Sequence, residues 1–383
     1  MSERRAELEA LMAVVRCALH GGVPSEVSHF ERLLSAAQRQ TVDSLLWGLP
    51  SLPVPEGERD GLLQWLPGVA ACEAQALRMN RWVATLGRLL DEGGVRYAVM
   101  KGQTCAHYYP QPLLRCTGDI DVYVPAAHYE RARQLLAASG LQLKERTMLH
   151  DTYTRGALIV ELHFAISRLQ WPASDRRLRA MTARDFDEAP PAADHFLPIG
   201  GRDIRTLPPE LNMVLLTAHA LQHVICGGLG LRQIIDWQLV LTATAGDIDF
   251  PRLLRMLDET GLRPMFEVLG RVNVSHLGMD GSLLAAQGIR LDSRQTVRLA
   301  ERLLNWTALC GNFGHDMDLG HGFLRLARYY GWFFINLLRF FQLCPREMMA
   351  WPWMKLLRGL TGRSHQKPPK TRAESRTTTK ATA

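Results

Sequence analysis

Gly118-Asp119-Ile120-Asp121-Val122-Tyr123-Val124 sets two carboxylates two residues apart inside a short β-branched run. A strand sends successive side chains to opposite faces, so Asp119 and Asp121 share one face while Ile120 and Val122 share the other. Burying Ile120 and Val122 in a core leaves the two acids side by side on the open face. Such a pair repels, and either one acid keeps a proton or a cation lies between them. A hard divalent ion such as Mg²⁺ meets that need, because it takes oxygen ligands and leaves positions for phosphates. On this reading Asp121→Asn relieves repulsion and raises the melting temperature of the metal-free protein. The same seven residues also describe a solvated strand end with two surface acids.

Ala157-Leu158-Ile159-Val160-Glu161-Leu162-His163-Phe164 predicts a second strand. Leu158, Val160, Leu162 and Phe164 share a face suited to a core, and Glu161 shares the other with Ile159 and His163. A Glu in an otherwise apolar strand is costly to bury unless it is paired or metal-bound. If the strands are neighbours, Asp119, Asp121 and Glu161 form a three-carboxylate cluster. Such a cluster holds two metal ions roughly 3.5–4 Å apart, the arrangement that supports in-line displacement at phosphorus. Alone, Glu161 equally fits a salt-bridged or edge-strand acid.

Taken in order, Val99-Met100-Lys101-Gly102, Tyr109-Pro110, Arg115, Gly118-Asp119-Ile120-Asp121 and Val160-Glu161-Leu162-His163 resemble the bacterial nucleotidyltransferases of the DNA polymerase β-like superfamily. The likeness is to a poorly characterised branch marked by Lys-Gly, Tyr-Pro, Arg and Gly-Asp-Ile-Asp in that order. It covers Val95 to Phe164 and continues more weakly to His219, His223 and Asp236. The resemblance implies an α+β fold: a small mixed-sheet palm flanked by helical N- and C-terminal regions. It implies transfer of a nucleoside monophosphate from an NTP, ATP foremost, to an acceptor hydroxyl, with release of pyrophosphate. Asp119, Asp121 and Glu161 would be the catalytic residues and would hold two Mg²⁺ ions, with Mn²⁺ as the alternative. Glu161 would also take the acceptor's proton. Lys101, Gly102, Gln103, Arg115 and Gly118 would bind the nucleotide, and His163, His219, His223 and Asp236 would face or brace the cleft. The acceptor could be a sugar, an antibiotic-like small molecule, a peptide, a protein or a tRNA end. The alternatives are a non-catalytic nucleotide-binding or regulatory protein on the same fold, and a peripheral membrane-associated factor.

The chain departs from the superfamily at one motif. Most members open a helix with Gly-Ser or Gly-Gly about a dozen residues before the acid pair. Here Gln103 follows the glycine, and Gly102 precedes Asp119 by 17 positions. The hydroxyl expected at the terminal phosphates is therefore missing. Gly102 can still offer backbone N–H groups if Gln103–Tyr109 starts a helix, since helix N-termini attract phosphate. Without the resemblance, Lys101 reads as a solvated lysine and Arg115 as a partner for the acids.

With 383 residues there is room for two or three domains, and 47% apolar content fits a globular protein. Seven cysteines (Cys17, Cys72, Cys105, Cys116, Cys226, Cys310 and Cys344) include no Cys-x-x-Cys pair. Their odd number and scatter predict reduced thiols in a cytoplasm, not a disulfide framework or a zinc site. No apolar signal region follows Met1-Ser2-Glu3-Arg4-Arg5. The net charge of +7 is local: nine Lys or Arg and two Glu lie from Pro345 onward, so the rest is neutral. A neutral body argues against extended nucleic-acid binding.

Four regions follow from the patterning. Residues 1–92 are helical, with Leu8, Leu11, Val14 and Val15 at helical spacing, a break at Ser51–Gly57, and a long run to Leu90. Residues 93–207 are mixed, the expected palm. Residues 208–360 are helical again. Residues 361–383, rich in Lys, Arg, Thr and Pro, predict a disordered basic tail able to touch anionic surfaces weakly. His219 and His223, four apart on a helix, suit either a shared metal or hydrogen-bonded interhelix residues. Phe323–Leu343 is aromatic, but Arg325, Arg328 and Arg339 interrupt it. It fails as a membrane span and reads as a buried helix, or else an interfacial one.

Overall fold

The structure is a computed structural model that describes residues 3–24, 27, 29–49, 51–52, 54–312, 331 and 333–361. Three helices lead: α1 (Glu3–His20), α2 (Phe30–Arg39) and α3 (Arg59–Glu92), the last with Pro67 inside it. The mixed region follows as β1 (Ala98–Met100), α4 (Gly102–Ala106), β2 (Ile120–Tyr123), α5 (Ala126–Ala138), β3 (Gln142–Arg146), β4 (His150–Arg155), β5 (Leu158–His163), α6 (Pro172–Thr182), β6 (His195–Ile199) and β7 (Arg202–Thr206). Then come α7 (Pro209–Cys226), α8 (Leu231–Thr244), α9 (Phe250–Thr260), α10 (Arg263–His276), the single turn α11 (Ser282–Ala285), α12 (Arg294–Cys310) and a last helix, Pro345–Thr361.

The seven strands form one mixed sheet in the order β3-β4-β5-β2-β1-β7-β6. The pairs β2–β5 and β1–β7 are parallel and the others antiparallel. The fold class is α+β, a mixed sheet between helical regions. Sequence patterning misses β4, β6 and β7 for physical reasons. His150-Asp-Thr-Tyr-Thr-Arg155 is mostly polar, and Pro198 sits in β6, which only an edge strand tolerates.

Alternation gives the sheet two unlike faces. Val99, Ile120, Val122, Leu158, Val160 and Leu162 bury one face against Met79, Val83, Leu86 and Leu90 of α3 and Tyr129, Ala132 and Leu136 of α5. The opposite face carries Ala98, Met100 and Tyr123 into a second core built from α1, α2 and the helices after Pro208. The first and last helical regions therefore share one apolar cluster. Gln40, at the end of α2, ties them together by donating to Thr307 O at 2.9 Å and accepting from Leu231 N at 3.1 Å.

Two expectations are corrected. Cys72 on α3 and Cys116, just before Gly118, are joined in a disulfide, so not all thiols are reduced. They lie 44 positions apart, and the fold brings their Cα atoms to 5.4 Å, which spacing alone cannot show. Cys17, Cys105 and Cys344 are free thiols. The described part of the aromatic run is not buried all round. Phe333, Leu337 and Phe340 face the core, whereas Phe334, Ile335 and Leu338 are exposed. The remainder of that run, and the tail after Thr361, lie outside the described residues. No helix among the described residues is long and apolar enough to cross a membrane.

Candidate functional site

Strand β2 lies between β1 and β5, and the register assembles the acids. Asp121 pairs with Glu161 across the parallel β2–β5 ladder, and with Met100 across β1. Thr152 of β4 faces Glu161 from the other side, and His150 faces His163. Partners in register share a face, so Asp121, Glu161, His163 and His150 all emerge on the side away from α3 and α5. Lys101, one residue past Met100, turns back with φ of 51° and sets its Nζ 2.8 Å from Asp121 Oδ1. His163 Nε2 lies 2.8 Å from the same oxygen and 3.2 Å from Glu161 Oε2.

The electrostatics split the acid pair. Burial alone would raise the Asp121 carboxyl, but Lys101 and His163 hold it well below the usual carboxylate range. Asp119 goes the other way, raised by burial and then by the charges of Asp121 and Glu161. Among the described residues no cation forms an ion pair with Asp119. Partly buried acids whose neighbours are acids suit a divalent cation, and the oxygen donors of Asp119, Asp121 and Glu161 are of the type that one takes.

Helices α7 and α8 supply the opposite wall of a cavity of about 380 Å³. Lys101, Gly102, Arg115, Gly118, Asp119, Asp121 and Glu161 line it from the sheet side, and His219, His223 and Asp236 from the helices. The two histidines touch, Nε2 to Nε2 at 3.2 Å, and His223 Nδ1 lies 3.3 Å from Gly228 O. If Nδ1–H donates to that carbonyl, His223 Nε2 is left to accept from His219. Burial dominates in both. It takes His223 down to about 4 and His219 well below its ordinary value, so the pair is neutral at neutral pH.

Residues 27–277, well over half of the chain, match the uncharacterised nucleotidyltransferase family. The chain belongs to that family. No curated protein matches it in sequence. Two solved structures resemble it. The antibiotic-resistance factor ANT(2'')-Ia is 15% identical, with 52% of this chain and 100% of that one covered and a TM-score of 0.36. An antigenic nucleotidyltransferase-like protein from Paracoccidioides brasiliensis is 16% identical, with 58% and 97% covered and a TM-score of 0.33.

In this family member three of the expected nucleotide contacts look different. Arg115 lines the cavity but is paired with Asp236: its Nε donates to Asp236 Oδ1 at 3.1 Å and its Nη2 to Oδ2 at 2.5 Å. Tyr109 completes that buried unit by donating to Asp236 Oδ1 at 2.7 Å. The Tyr-Pro, Arg and downstream Asp signals thus make one brace between the loop after α4 and α8. Gln103 does not reach the cavity; it is buried and donates through Nε2 to Thr117 Oγ1 at 2.5 Å. The helix begun by Gly102 has only five residues and ends at Ala106, so its dipole is weak.

Sequence reasoning missed Arg232, Thr117 and His150. Arg232 and Thr117 line the cavity. Arg232 donates to Cys116 O at 3.1 Å and has no carboxylate at ion-pair distance among the described residues. Burial and then Arg115 lower its proton affinity. In the sequence Arg232 reads as an ordinary i,i+4 helical partner of Asp236, but the fold gives Asp236 to Arg115. A cation in the first turn of a helix also opposes the macrodipole. This arginine is half-buried, with no carboxylate at ion-pair distance among the described residues, so its charge can meet an anion.

Proposed function

We propose that the protein transfers a nucleoside monophosphate from an NTP, ATP foremost, to an acceptor hydroxyl and releases pyrophosphate. The observation that carries this reading is one cavity lined by the three acids of the sheet side and by Lys101, Arg115 and Arg232, of which Arg232 has no carboxylate at ion-pair distance among the described residues. Its volume of about 380 Å³ falls in the range of small-molecule sites. Asp119, Asp121 and Glu161 would hold Mg²⁺, which when bound neutralises phosphate charge and polarises the reacting oxygens.

The chain's own residues have distinct tasks. Arg232 and Lys101 take the charge of the β- and γ-phosphates, beside the backbone of Gly102 and Gly118. Thr117 Oγ1 accepts from Gln103, which leaves its own proton to donate into the cavity. That hydroxyl takes the place of the serine absent after Gly102. While no metal is bound, His163 Nε2 bridges Asp121 and Glu161. The bond from acceptor oxygen to α-phosphorus forms as the bond to the bridging oxygen breaks. The hydroxyl proton passes to Glu161 and pyrophosphate leaves. The reading takes the reaction to run in the cytoplasm, where NTP is supplied and the Cys72–Cys116 disulfide is open to reduction.

Incubation with α-labelled and γ-labelled NTPs, Mg²⁺ and a cell extract tests the reading. The α-label alone should enter an acceptor, and Asp119→Asn should lose it. Transfer of the γ-label would make the protein a kinase. Binding of NTP without any transfer would favour the non-catalytic alternative, which the altered glycine motif supports.

A further inference from the structure

Nucleotidyl transfer by three carboxylates leaves His150 without a task. It lies on β4 in register with His163 of β5, and the two rings stand 4.7 Å apart between centroids. Glu161 Oε2 is 3.2 Å from His150 Nδ1 and 3.2 Å from His163 Nε2. One ligand atom from each of the three residues falls within 4.8 Å of the others. Asp121 Oδ1 adjoins the group, 2.8 Å from His163 Nε2.

A further feature points to a bound ion and not merely to an ion-paired cluster. His150 Nδ1 is buried and faces a carboxylate oxygen at 3.2 Å, yet it makes no hydrogen bond. Two ligands on one ion at roughly 2.1 Å stand about 3.0–3.4 Å from each other, so the spacing already suits a shared cation.

We propose that His150, Glu161 and His163 form a mixed nitrogen–oxygen metal position at the edge of the acid cluster. This position selects a first-row transition ion, Mn²⁺ or Co²⁺, over Mg²⁺. Mg²⁺ prefers oxygen and holds its water, whereas imidazole nitrogen suits the transition ions. The inference deepens the transfer reading and rests on it for the role of the ion, but the ligand set stands on geometry alone.

The test uses the full chain, freed of metal, without nucleotide. Mn²⁺ and Mg²⁺ are titrated separately, and pulsed EPR of the Mn²⁺ form reads nitrogen coupling. Mn²⁺ should bind at least about tenfold more tightly than Mg²⁺ and show imidazole nitrogen. His150→Gln should weaken Mn²⁺ binding about tenfold or more while leaving Mg²⁺ nearly unchanged. Mn²⁺ bound without any nitrogen coupling overturns the proposal, and needs no variant that could misfold. An unchanged Mn²⁺-to-Mg²⁺ ratio in folded His150→Gln overturns it as well. A parallel melt with Mg²⁺–NTP separates the two readings. A nitrogen-coordinated ion with no NTP response would sink transfer and keep this site. An NTP response with oxygen-only Mn²⁺ would do the reverse.

Discussion

Asp119 and Asp121 look equivalent as letters and are opposites in place. Asp121 is 5% exposed and holds Lys101 and His163. Removing its charge strands a buried ammonium, so Asp121→Asn should lower the stability of the metal-free protein by about 3 kcal/mol, the reverse of the repulsion argument. Asp119 has acids as neighbours, and Asp119→Asn should raise it. Both should abolish transfer. Urea denaturation without metal checks the two signs, and a rise in both variants would show that Lys101 does not pair with Asp121 in solution. Asp187, outside the site, accepts from Tyr123 Oη at 2.9 Å, and burial lifts its carboxyl to about 6. Its folded value lies above the unfolded 3.8, so the folded state binds the extra proton. The stability this adds is present below about pH 4 and lost as pH rises through about 6. Asp187→Asn should therefore gain about 1–2 kcal/mol on wild type between those limits, less than the full shift because the side chain is partly exposed. A difference between the two proteins that stays flat across that window would refute the assignment.

At the scale of elements, α8 does two jobs from adjacent turns. Asp236 anchors the loop after α4, and Arg232 four residues earlier faces the cavity. The two should separate on mutation. Asp236→Asn leaves Arg115 buried without its carboxylate and should cost about 3 kcal/mol of stability. Arg232→Gln removes a cation that has no carboxylate, so the melting temperature should hold or rise. Affinity for Mg²⁺–NTP should nevertheless fall about tenfold or more. Calorimetry on both variants decides it. Unchanged nucleotide affinity in Arg232→Gln would take away its role as the phosphate cation.

At the scale of the molecule, the basic excess and the chemistry lie in different places. The cavity sits between the sheet and α7–α8, while the charge lies from Pro345 onward. Lys367, Lys370, Arg372, Arg376 and Lys380 stand among Pro and Thr, without large apolar side chains to offset ordering entropy. Truncation after Thr361 should leave the melting temperature and the NTP response unchanged. Binding to anionic vesicles should drop, at about 1 kcal/mol per basic residue lost, and should weaken with salt in the intact chain. Loss of nucleotide binding with vesicle binding retained would reverse the roles of body and tail.

What the sequence determined by itself was local and periodic. Alternation in Gly118–Val124 and Ala157–Phe164 was enough to put Asp119 with Asp121, and Glu161 with His163, on one face of each strand, because a strand's two faces follow from backbone geometry alone, whereas the pairing of Asp121 with Glu161 waited on the strands being neighbours. The ordered short motifs pointed to the α+β fold and to its family. What only the tertiary structure decided was partnership. Arg115 or Arg232 could each have met Asp236, and packing of the loop after α4 on α8 chose Arg115. His150 joined the acid face only because β4 pairs with β5, and Cys72 met Cys116 only because that same loop passes α3. Charge pairing and metal ligation act over a few ångströms, and contacts between segments far apart in the chain exist only once the cores have packed.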